Sequence, residues 1–163
     1  MAAGSTYTPI ATQTLGSNTT EITFSSIPAT YTDLVLIFNT KFVTAQSLTI
    51  RLNSDTGSNY SNTQLYGTGT SALSARNTGN AYMFLAAIST EWSTNILNFM
   101  NYSNATTNKT VLVRQSPGNT DVAANIGLWR STAAITSISV QAYTTTTNFV
   151  TGSTFTLYGI AAA

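Results

Sequence analysis

Apolar and polar residues alternate with a period of two almost wherever a pattern can be read along the chain. Ser47-Leu48-Thr49-Ile50-Arg51-Leu52-Asn53 does so cleanly, putting Leu48, Ile50 and Leu52 on one face, as a half-buried β-strand requires. Glu21–Ile27 begins the same way and stops at Pro28. Leu34–Phe38 is instead a continuous apolar run, the pattern of a strand covered on both faces. Asn62–Tyr66, Ala81–Ile88, Asn95–Tyr102, Lys109–Gln115, Ala124–Trp129, Ile135–Tyr143 and Thr154–Ile160 complete the expected strands. Turn-forming clusters at Asn53–Asn59, Gly67–Asn80 and Ser116–Asn119 separate them. Only Thr90–Leu97 and Ser131–Ala134 leave room for one helical turn each. Roughly nine or ten short strands with turn signals between predict an all-β, antiparallel β-sandwich, with a jelly roll as its expected form. No linker or internal repeat divides the chain. It reads as one domain, 1–163, with residues 1–8 as an N-terminal arm and Thr144–Thr147 as a hairpin loop or strand end.

Composition adds a constraint on partners. Hydrophobic residues make up 42% of the 163, enough for a packed interior, but charged residues only 7%, against roughly 25% in an average soluble protein. Thr, Ser and Asn have taken the place of charge. The net charge is +1, from six cations scattered between Lys41 and Arg130. Such scatter offers neither the basic stripe that neutralises phosphates nor a polybasic patch for a membrane surface, so neither nucleic acid nor membrane is an expected partner. No apolar run is long enough to span a bilayer, and Met1–Thr8 lacks the basic and apolar segments of a signal peptide. The five Asn-X-Ser/Thr sequons read as chance in an Asn/Thr-rich chain. Absence of Cys suits folding in a reducing cytoplasm. A surface so poor in charge is weakly protected against association, and two Lys and three Pro are few with which to guard sandwich edges. A homo-oligomer whose neighbours cover some edges is the expectation.

Candidate chemistry is thin. With no His and no Cys, the commonest general base, metal ligand and nucleophile pairs are gone. The five acids, Glu21, Asp33, Asp55, Glu91 and Asp121, show no spacing that pairs two of them; a hydrolase built on acids such as Asp55 and Glu91 is the least favoured reading. Asn53, Asp55 and Asn59 could offer oxygens to calcium, but they miss the EF-hand spacing, and capping of their own turn is the better account. Gly67-Thr68-Gly69 lacks the lysine of a phosphate loop. No catalytic residue, cofactor or metal is expected. Among the aromatics, Trp129 falls in a strand pattern and is assigned to the core or a subunit interface. Tyr60 and Tyr66, bordering turn clusters, and Trp92 are the candidate surface residues for stacking on a sugar ring.

Four stretches together carry a resemblance: IPATYTDLVL (27–36), LNSDTGSNYS (52–61), GLWRSTAAITSI (127–138) and FVTGSTFTLYGI (149–160). In this order and spacing they resemble small virion structural proteins of tailed phages, notably cyanophages, over nearly the whole chain from about Tyr7. The resemblance implies a jelly-roll-like fold, self-association, often as trimers, and no catalysis. The role it suggests is a capsid decoration (cement) protein bound to the major capsid protein or other virion proteins. A tail- or fibre-associated module and a host-glycan-binding adhesin domain are the alternatives. Without a long N-terminal extension, the chain is expected to be free-standing.

Overall fold

A computed structural model describes residues 6–116, 122–144 and 146–161, and among these it contains twelve strands and no helix. They are β1 (Tyr7–Thr14), β2 (Glu21–Phe24), β3 (Asp33–Thr40), β4 (Gln46–Leu52), β5 (Tyr60–Gly67), β6 (Ala72–Asn80), β7 (Met83–Ile88), β8 (Ser93–Phe99), β9 (Lys109–Ser116), β10 (Val122–Trp129), β11 (Ile138–Ala142) and β12 (Thr154–Ile160). One sheet runs β1-β12-β3-β8-β9-β10-β5-β6 and the other β2-β11-β4-β7. Every ladder is antiparallel. Setting aside the hairpin β5–β6 and the pair β9–β10 leaves β1-β12-β3-β8 over β2-β11-β4-β7. That is the interleaved order of an eight-stranded jelly roll. The two set-aside pairs both extend the first sheet on the same side, which doubles its width.

Two strands escape the sequence pattern. β1 occupies part of the expected N-terminal arm: Tyr7 and Thr8 already pair with Ile160 and Gly159, and the Ala161 N–H reaches the Thr6 carbonyl. β6 lies inside the expected turn cluster Gly67–Asn80; it is exposed along most of its length, so no alternation of apolar residues marks it. Thr90–Leu97 holds no helical turn, because Ser93 begins β8, and Ser131–Ala134 is irregular with a bend at Ala133. Residues 1–5, 117–121, 145, 162 and 163 lie outside the described residues, and with them Asp121 and all but the first residue of the expected turn cluster Ser116–Asn119.

The core forms where the two sheets face each other. Leu34, Leu36 and Phe38 of β3, Leu97 and Phe99 of β8, Val111 and Val113 of β9, and Phe155 and Leu157 of β12 are buried against Leu48, Ile50 and Leu52 of β4 and Ile138 and Val140 of β11. Phe38 stacks on Phe155 at 5.1 Å, and Phe149 bridges Phe155 and Phe42. The continuous run of β3 is covered on both sides only in part: Leu34, Leu36 and Phe38 are buried inward and Val35 is buried on the outer face beside Tyr158, but Ile37 on that outer face is half-buried.

Sheets of unequal width create a problem at the edge of the narrower one. β7 closes the four-stranded sheet, and its free edge lies over β10 and β5, in the interior and away from water. Unpaired main-chain groups there would each forfeit a hydrogen bond. Two side chains of the wide sheet supply the partners: Gln115 Oε1 accepts the Ala86 N–H at 2.8 Å, and Asn125 Nδ2 donates to the Phe84 carbonyl at 2.9 Å. The Gln115 amide continues into a polar ladder through Asn95 (2.9 Å), Ser93 Oγ (3.1 Å) and the Thr40 carbonyl (3.2 Å). At the opposite edge, Gln13 of β1 donates to the Thr23 carbonyl of β2 at 2.9 Å.

Close approach of β7 to the wide sheet also requires Gly127. A Cβ added there would overlap Sδ and Cε of Met83. Gly127→Ala is therefore expected to destabilise by about 1–3 kcal/mol, the usual penalty of overpacking. Thermal unfolding followed by circular dichroism measures it. In a Met83→Ala background the same substitution should cost clearly less, since the two sites share one contact.

Candidate functional site

The loop between β4 and β5 is built around Asp55. Asn53 and Ser54 adopt positive φ (52° and 55°), and the Asp55 N–H returns to the Leu52 carbonyl at 3.0 Å, closing a tight turn whose two central residues are left-handed. The Asp55 carboxylate then accepts the Gly57 N–H (2.8 Å), the Asn59 amide (2.9 Å) and the Trp129 indole N–H (2.6 Å). Burial alone would raise its pKa; the Trp129, Asn59 and Gly57 hydrogen bonds outweigh that and hold it below the ordinary 3.8. Asn53 Oδ1 accepts from the Thr136 and Ser137 N–H groups and its amide donates to the Ala134 carbonyl. The loop oxygens considered for calcium are thus spent on the turn and on the neighbouring 131–137 segment.

Tyr60 is a correction. It is fully buried, stacked 6.3 Å from Trp129, and its hydroxyl accepts the Leu52 N–H at 3.0 Å while donating to the Leu52 carbonyl at 3.1 Å. Bordering a turn cluster suggested exposure, but the ring folds back beneath the loop and anchors it. Burial pushes its pKa up to about 12. Tyr66 is half-buried at the far end of the same strand, across from Leu73, which is 45% exposed. Trp92 is 46% exposed in the β7–β8 loop, with Lys41 Nζ over its ring at 5.4 Å. The three proposed stacking residues do not converge. Nor do Asp55 and Glu91, which follow opposite ends of the paired strands β4 and β7. Asp33 is engaged by the Asn101 N–H. Lys109 is buried on the same row as Trp129 and Tyr60; its ammonium donates to the Thr107 and Thr132 carbonyls, and burial lowers its pKa. Among the described residues no three acids, His or Cys cluster as metal ligands would.

What the structure leaves conspicuously open is the outer face of the wide sheet. Cross-strand partners share a face, so the registers fix which residues point outward. An apolar band runs from Ile37 of β3 to Ile96 of β8, Leu112 of β9, Ile126 of β10 and Leu65 of β5. Exposure rises along it, reaching 59% at Ile126, 58% at Leu65 and 64% at Val122. Arg76, Arg114 and Arg130 surround its exposed end. Arg76 lies in line with Thr63 and Ile126, and Arg114 in line with Ala124 and Leu65. The Arg130 guanidinium donates to Ser61 Oγ at 2.5 Å. Arg76 and Arg130 flank a shallow groove containing Thr63, Thr110, Ile126 and Leu128. Arg76, Arg114 and Arg130 are far apart in sequence, so their convergence was hidden; the apolar outward positions of Ala124–Trp129 were the one available signal.

Acid dependence tests the Asp55 cluster. Its lowered native pKa means that the unfolded chain takes up the proton first. The stabilisation is complete above 3.8 and lost as pH falls below that value through the native one. Asp55→Asn should cost about 1–2 kcal/mol at neutral pH, from weakened hydrogen bonds. The gap to wild type should close in acid, as read from urea midpoints across pH. Tyr60 has the opposite sense. Its raised pKa favours the native state below 10, and that advantage is lost as pH rises from 10 to about 12, so the deficit of Tyr60→Phe should shrink over that interval.

No family model matches the chain, and no curated protein matches it.

Proposed function

We propose that the chain is a structural protein of a tailed-phage virion, made in the host cytoplasm, and specifically a capsid decoration (cement) protein. In this reading it acts as a homo-oligomer, a trimer, that binds the major capsid protein and ties neighbouring capsomers together without catalysing a reaction. The observation that carries the reading is the uncovered apolar face of the wide sheet. A free monomer gains nothing from leaving Leu65, Val122 and Ile126 in water, whereas a permanent assembly buries them. The sequence resemblance points the same way.

Other features suit the task. The interior is pinned by side-chain amides and hydroxyls, whose hydrogen bonds are neutral and insensitive to salt. A rigid oligomer touching the shell at several points binds through avidity, so each contact can be modest.

Reconstruction of the virion that carries this chain tests the proposal. Density for the sandwich in many copies over the head is the expected result. A few copies at the tail would replace the cement role with the tail- or fibre-associated one. Absence from the particle would remove the virion role altogether.

A further inference from the structure

We infer that the arginine-flanked apolar face formed by β9, β10, β5 and β6 binds a second copy of this chain head to tail, receiving the flank closed by the edge strands β1 and β2. Leu65, Val122 and Ile126 form the sort of patch that marks a protein interface, and arginines at its rim match the usual make-up of binding hot spots.

Charge then selects the partner's orientation. Three of the chain's six cations, Arg76, Arg114 and Arg130, surround this patch. No carboxylate stands among the described residues of β5, β6, β9 and β10. Packing this face on itself about a two-fold axis would bring like charges together. The exposed Glu21 lies at the other side of the molecule, on β2, the outermost strand of the narrow sheet. β1, the corresponding edge of the wide sheet, is adjacent, as the Gln13–Thr23 hydrogen bond shows. Lateral polarity of this kind favours a heterologous contact, arginine flank to acidic flank, which closes into a ring when the rotation between copies allows. β6 supports the same direction. It is an edge strand with exposed side chains on both faces, so the approaching copy can cover its free main-chain edge as well as the band beside it.

The inference deepens the self-association proposed above and is tested apart from the virion role. The experiment uses sedimentation equilibrium on the purified chain and two variants. One, Leu65→Glu with Ile126→Glu, spoils the receiving face; the other, Thr12→Lys with Glu21→Lys, puts cations on the β1–β2 flank. Circular dichroism confirms that both remain folded. Wild type should associate reversibly with concentration, and each variant alone should be monomeric. An equimolar mixture should form a heterodimer, since each variant keeps the half that the other has lost. A mixture that stays monomeric while wild type associates would overturn the head-to-tail arrangement. Wild type without association at concentrations up to about 1 mM would assign the face to a different protein and overturn the inference. A monomer would leave the cement role standing, because a single copy can still bind a shell.

Discussion

Satisfying the main chain of β7 is the constraint on which the rest of the structure depends. A four-stranded sheet laid on an eight-stranded one must end somewhere over the interior of its partner, and there its free N–H and C=O groups have no water. Gln115 and Asn125 answer this from below, and their positions on β9 and β10 explain why those strands carry amides on their inward face. The same contact fixes the height of one sheet above the other, which is why Gly127 must lie under Met83.

Unequal width has a second consequence. The narrow sheet covers only part of the inner face, so the β5–β6 hairpin is exposed on both sides, with Tyr66 and Leu73 on one and Leu65 on the other. The two pairs added to the jelly-roll order are also where the exposed apolar residues and three arginines gather. The eight interleaved strands hold most of the core; the four added ones contribute Val111, Val113, Tyr60 and Trp129 to it and broaden the surface available to a partner. Self-association through that surface belongs to the proposal, whereas its exposure is a property of the fold.

Legibility in the sequence followed burial. Strands with one apolar face, such as β4, β9 and β10, alternate along the chain and were readable. β6, mostly exposed, and β1, exposed to half-buried along its length, lack the apolar stripe that defines the pattern. The start of β8 was obscured because Ser93 and Asn95, which point inward, are polar. Tyr60 was misplaced because closeness to a turn cluster says nothing about which way a ring folds, and only the folded loop brings its hydroxyl to the Leu52 main chain. The arginine cluster depended on pairing between strands distant in sequence.

Residue-resolved hydrogen exchange of the Ala86 amide, in wild type and in Gln115→Met, tests the account most directly. The account predicts protection of Ala86 comparable to that of paired amides in β4, and a selective loss of that protection in the variant. Exchange of Ala86 at the rate of an open strand edge in wild type, or protection unchanged by the substitution, would contradict it.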